Sequence, residues 1–274
     1  MATDVTSDAT PAPRPQQASA AAPDPAPRVR PHRRRFVFIY AVLAASLGAA
    51  IAGVVIFAGR AISPATPWSS WKPSGGGQGA AKQIAEHVAG AYHLPSGQQL
   101  VAVIAKPPSV SPASNQTIPI HYIAVRGSKG EVDDVISVSS GDSVMYSLCG
   151  LGASCAIEQG KPSVERGTLV RREILELALY TFKYVGGIKN VIAFMPPTPG
   201  SQPKYVVYLQ KGDVAQQLKL PLIRTLERKT PLPTTIPARE VHTIDAVTEP
   251  HVYQFSLSQA QQGDAILVLA PLPA

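Results

Sequence analysis

Cys149 and Cys155, in the run Cys-Gly-Leu-Gly-Ala-Ser-Cys, are the only two thiols in the 274-residue chain. Five residues separate them, Gly150 and Gly152 among these, so the chain can bend back until two Cα atoms lie within disulfide range, about 7 Å at most. In an oxidising compartment such thiols pair, and the spacing predicts a local structural disulfide. Redox exchange would ask for Cys-x-x-Cys at a helix N-terminus, and a metal site for more ligands than two cysteines. No metal or cofactor is expected.

The histidines are His32, His87, His93, His121, His242 and His251. None are paired in the H-E-x-x-H pattern that places two imidazoles on one helical face around zinc. The densest polar group is Glu240, His242, Asp245, Glu249 and His251. Imidazole and carboxylate together can supply a general base and its orienting partner, so a hydrolytic site would draw on these residues with His121 or His87. Without a ligand motif, they read rather as a solvated loop and strand edge.

Other short motifs fail on their surroundings. Ser69-Ser-Trp-Lys72 has the S-x-x-K form of penicillin-recognising enzymes, but it sits among linker residues, and S-D-N and K-T-G are both absent. Gly152-Ala-Ser154-Cys-Ala156 misses the last glycine of a nucleophile elbow, and the Gly75–Lys82 stretch lacks the G-K-[ST] junction of a phosphate loop. Asn115-Gln-Thr117 is a glycosylation sequon by pattern.

The elements that must position these residues begin with charge. Lys and Arg number 25 against 18 Asp and Glu, a net +7. This resolves into a basic N-terminal segment with Arg28, Arg30, Arg33, Arg34 and Arg35, an uncharged run, and a mildly basic remainder. A diffuse excess of this kind is not the clustered stripe that nucleic acid requires, so no nucleic-acid partner is expected. Phe36 to Ala58 contains no charged residue. As a helix it would measure about 35 Å, against a hydrocarbon core of ~30 Å. The run is longer than the apolar core of a cleaved signal peptide.

The expectation is a transmembrane signal-anchor over 36–58 in contact with the lipid bilayer. The five arginines act as its topology signal, with the N-terminus cytoplasmic and the rest extracytoplasmic at the cell membrane. Small residues at four-residue spacing (Ala41, Ala45, Ala49, Gly53) raise self-association through that helix.

Residues 1–35 are rich in proline and alanine without apolar periodicity, which predicts a disordered cytoplasmic tail; its Pro11–Pro15 stretch suits a docking peptide. Residues 59–78 read as a Pro/Gly-rich linker, where Trp68 and Trp71 suit either a headgroup layer or the folded domain. Residues 79–274 are ample for one core. Apolar spacing predicts a helix over 80–92 and a long one over 164–185 opened by Ser163, with Glu165, Arg172, Glu176 and Lys183 on its wet side. Strands are predicted over 99–105, 118–125, 132–138, 143–148, 190–195, 205–210, 251–257 and 265–269. Asp213–Gln216 resembles a capping box, and 227–240 a loop. Grouped strands favour an α+β fold: a single transmembrane helix followed by one mixed α+β extracytoplasmic domain.

The Ala/Pro/Arg-rich style suggests a GC-rich bacterial genome. With no complete catalytic constellation, the expected function is non-enzymatic: a membrane-anchored module that binds or scaffolds envelope or secretion proteins. The alternatives are a membrane-anchored envelope hydrolase and a ligand-binding sensor domain.

Overall fold

The computed structural model describes residues 33–59, 67–110, 117–127, 130–260 and 263–272, and on the first helix it describes side chains over 36–51. Arg28, Arg30, the tail up to residue 32, linker residues 60–66 and the sequon asparagine Asn115 lie outside the described residues. The chain divides into two units, Met1–Pro64 and Ala65–Ala274.

In the first unit, Arg33–Gly59 is helical (α1), with Arg33, Arg34 and Arg35 in its opening turn. The expected membrane anchor is corrected here. Among the described residues no helix is long and apolar enough to cross a membrane. The single-pass architecture, the topology read from the arginines and the cell-membrane placement of 79–274 fall with the anchor.

The second unit is α+β. Helix α2 (Gly77–Ala89) buries Ala80, Ala81, Ile84, Ala85 and Val88 on one face, the stripe that its i, i+4 spacing dictates. It leads into strands β1 (Ala102–Lys106) and β2 (Ser109–Val110), joined by Pro107-Pro108. Then come β3 (Ile118–Arg126), β4 (Val132–Ser137) and β5 (Ser143–Cys149). Helix α3 (Val164–Tyr184) follows, and then β6 (Asn190–Phe194), β7 (Tyr205–Gln210) and the short α4 (Ala215–Lys219). Helix α5 (Ala238–Thr248), β8 (Val252–Gln259) and β9 (Ala265–Pro271) complete the unit.

The nine strands among the described residues form one mixed sheet in the order β1-β5-β6-β7-β8-β9-β3-β2, with β4 on β3. The β5–β6 and β3–β9 pairs are parallel; the others are antiparallel. The two ends of that order, β1 and β2, are consecutive in the chain, so the sheet curls until it is nearly closed.

Both faces of the central strands are buried, which explains why they read as continuous apolar runs rather than alternating ones. Val144, Tyr146, Val191, Ala193, Val207 and Leu209 face the helices, with Ile84, Leu175 and Leu179. Met145, Ile192, Val206 and Tyr208 point the other way, into a second core with Ile120, Ile123, Leu267 and Leu269.

Helix α3 starts where the sequence predicts. The Ser163 side chain accepts a hydrogen bond of 3.2 Å from the Arg166 backbone N–H, satisfying a donor that the first helical turn leaves free. The predicted wet side holds for Glu165 and Lys183, both exposed, and is corrected for Arg172 and Glu176. Arg172 is fully buried and Glu176 nearly so, because α5, in a region with no predicted helix, covers that side of α3. The capping box at Asp213 is also absent: its carboxylate accepts from the Gln210 N–H at 2.7 Å, closing a turn, and α4 starts at Val214 without a side-chain cap.

Cys149 and Cys155 are disulfide-bonded, their Cα atoms 4.4 Å apart. Ser154 and Cys155 both take positive φ. A Cβ on Gly150 would lie 2.2 Å from the Ala156 carbonyl oxygen, so only glycine fits that crossing. Trp68 and Trp71 pack on the folded domain. Trp71 stacks on His87 at 3.9 Å between ring centroids, and Trp68 meets Tyr180 and Tyr184 edge-on.

Candidate functional site

The polar residues singled out between 240 and 251 do not converge. They lie on α5 and the single 3₁₀ turn after it, and neighbouring arginines divide most of them. Arg172 takes Glu240 through Nε at 2.7 Å. Arg171 takes Asp245 at 2.7 Å and Glu249 at 3.3 Å. His251 turns instead toward Asp213, 3.8 Å away, and His121 toward Asp264 at 3.2 Å. His87 is stacked on Trp71, and its partial burial lowers its pKa. Ser69 is hydrogen-bonded to the Trp71 carbonyl and the Tyr184 hydroxyl. Among the described residues no group of three or more His, Cys, Asp or Glu side chains could hold a metal ion.

Arg172 is the hub of a buried ionic centre that sets the positions of α2, α3 and α5. Besides Glu240, its guanidinium donates to the Tyr92 hydroxyl, to Glu176 at 3.2 Å and to the Glu227 carbonyl at 2.9 Å. Tyr92 in turn donates to Glu176 at 2.6 Å. Burial alone would lower the Arg172 pKa, but the facing Tyr92, Glu176 and Glu240 groups outweigh it and raise it. Glu173, next in sequence and fully buried, has no hydrogen-bond partner on either carboxyl oxygen among the described residues. Burial, reinforced by the Glu176 charge, pushes its pKa well above the ordinary glutamate range. The centre opens to solvent only at Glu176 and serves to fix the helices.

What those helices present to solvent is a groove around the first turns of α3. It consists of three cavities that share walls. The largest, about 460 Å³, is lined by Val164, Gly167, Arg171, Met195, Tyr205, Glu249, Val252 and Leu272. Gly167, Met195 and Tyr205 also line the second, about 190 Å³, with Val170, Ile157 and the Pro196–Pro199 segment. Ser163 and Arg166 lead on to the third, about 330 Å³, beside Leu94, Pro95, Gly160 and Pro233. Val164 is 80% exposed, Leu272 43% and Tyr205 41%, so the groove offers apolar side chains directly to water.

Its floor has an unusual residue. Gly167 lies inside α3, where glycine costs about 1 kcal/mol against alanine. Yet a Cβ there would meet nothing within 4 Å. Packing does not require glycine at this position; its effect is to keep the groove open.

Of the groove residues only Glu249 was marked by the sequence, and then as part of a hydrolytic cluster rather than of a groove. The groove residues come from the turn after α2, the β5–α3 connection, α3, the β6–β7 connection, β7, the segments either side of α5, the start of β8 and the residue after β9, and only the tertiary fold brings them together. The one available signal was Gly167 itself, a glycine within a strong helical pattern.

No family model, curated protein or solved structure matches the chain.

Proposed function

We propose that the α+β domain is a binding module that holds an extended segment of another protein in the groove around the N-terminal turns of α3. The observation that carries this reading is the continuity of the three cavities across the side-chain-free floor at Gly167. An extended segment advances about 3.3 Å per residue and alternates its side chains, which suits a string of small apolar pockets better than one deep cavity. Proline-rich walls with an exposed tyrosine are surfaces on which extended peptides dock at low entropic cost. Glu240, Asp245, Glu249 and His251 pair with different partners, which supports a binding reading over the hydrolase alternative.

The test is site-specific photocrosslinking in cells, with a benzophenone amino acid at Val164 or Leu272 and a control at Val135, which is exposed on β4. Discrete adducts with another polypeptide are expected from 164 and 272 and not from 135, and Gly167→Leu should abolish them by filling the floor. A monomer band at all three positions, or adducts indifferent to Gly167→Leu, refutes the reading.

A further inference from the structure

We infer that the segment held in this groove is acidic, carrying a carboxylate that pairs with Arg166 and apolar or proline side chains on either side. The inference rests on the docking reading above and adds the chemistry of the partner.

Arg166 stands where two of the cavities meet. Its guanidinium lies over the Gly160 backbone, where a Cβ would come within 2.4 Å of Nη2. Among the described residues no carboxylate lies within 4 Å of it and no oxygen accepts from it. The other cation of the groove, Arg171, is already matched by Asp245 and Glu249. Of the acids on the adjoining chain, Glu158 accepts from the Gln98 amide at 3.3 Å, and Glu165, in the first turn of α3, is exposed to water.

Arg166 therefore presents a planar set of donors, built for bidentate carboxylate pairing, beside apolar pockets and at the positive end of a 21-residue helix. Partial burial pulls its pKa below the ordinary arginine value, and a bound carboxylate would offset that cost. A neutral or basic segment would leave the cation uncompensated as the groove lost its water.

The experiment uses the full chain and three pools of fluorescent hexapeptides. Their third position is fixed as Asp, Asn or Arg, and the others are drawn from Pro, Leu, Val, Ala, Tyr and Ser. Anisotropy should show the Asp pool binding about tenfold more tightly than the Asn pool, and the Arg pool weakest. Salt should erode the preference, Arg166→Lys should keep part of it, and Arg166→Gln should abolish it while leaving the circular dichroism melt unchanged. If the three pools bind equally and Gly167→Leu weakens all of them, the acidic partner is wrong and the groove stands. If no pool binds, or binding ignores Gly167→Leu, both readings fall.

Discussion

Glu173 is buried in the same interior as Arg172, yet neither of its carboxyl oxygens has a partner among the described residues. A buried polar group left unpaired costs about 1–3 kcal/mol. Glu173→Met, similar in volume and free of that penalty, should therefore stabilise the protein by about 1–3 kcal/mol at neutral pH in urea unfolding. The pH dependence gives a second readout. A carboxyl whose pKa is raised on folding binds more protons folded than unfolded, so its contribution falls as pH climbs from the ordinary glutamate range toward the folded value. Wild type should lose stability through that window, and Glu173→Met should lose less. Equal slopes for the two proteins would show that the carboxyl is ionised and paired in solution. At this scale the sequence misleads: Arg172 and Glu176, at i,i+4, look like a solvent-facing ion pair on α3. Spacing along one helix cannot reveal that another helix covers it.

The long elements were legible because their local signals agree. α3 has its Ser163 cap, an apolar stripe and a glycine stop, and it runs from Val164 to Tyr184; β5, β6 and β7 are bounded runs of apolar residues. α5 was not legible. Pro237 gives it no side-chain cap, and Val241, Thr243, Ile244, Val247 and Thr248 are β-branched, with weak helix propensity. Its helical form depends on contacts distant in sequence, Arg172 with Glu240 and Arg171 with Asp245. The groove was illegible for the same reason, since its walls come from separate elements. Gly167→Ala separates the two demands on α3. With open space around the new Cβ, alanine should raise stability by about 0.5–1 kcal/mol. It should also weaken docking, seen as fainter photo-adducts at Val164. Stabilisation with undiminished adducts would mean that the floor is not where the partner lies.

In the whole molecule, the two cores depend on one sheet. Leu267 and Leu269, both fully buried, come from the final strand, and β9 pairs with β3 on one side and β8 on the other. Fully burying a leucine is worth about 1.5–3 kcal/mol, before any ladder hydrogen bonds are counted. A chain ending at Gln259 should therefore lose cooperative unfolding and bind a hydrophobic dye such as ANS; a sharp melt within a few degrees of wild type would show that the core facing the helices is self-sufficient. The α+β class followed from strands grouped between helices, but the near closure of the sheet did not. It depends on Ile120 meeting Ala265, and nothing local announces a parallel pairing across most of the domain. That pairing has a consequence for biosynthesis. On the ribosome β3 emerges long before β9, so the second core, which holds Ile120 and Ile123, stays incomplete until β9 has left the exit tunnel. The nascent domain is therefore most vulnerable to aggregation during this interval, and a pause in translation before β8 would prolong it.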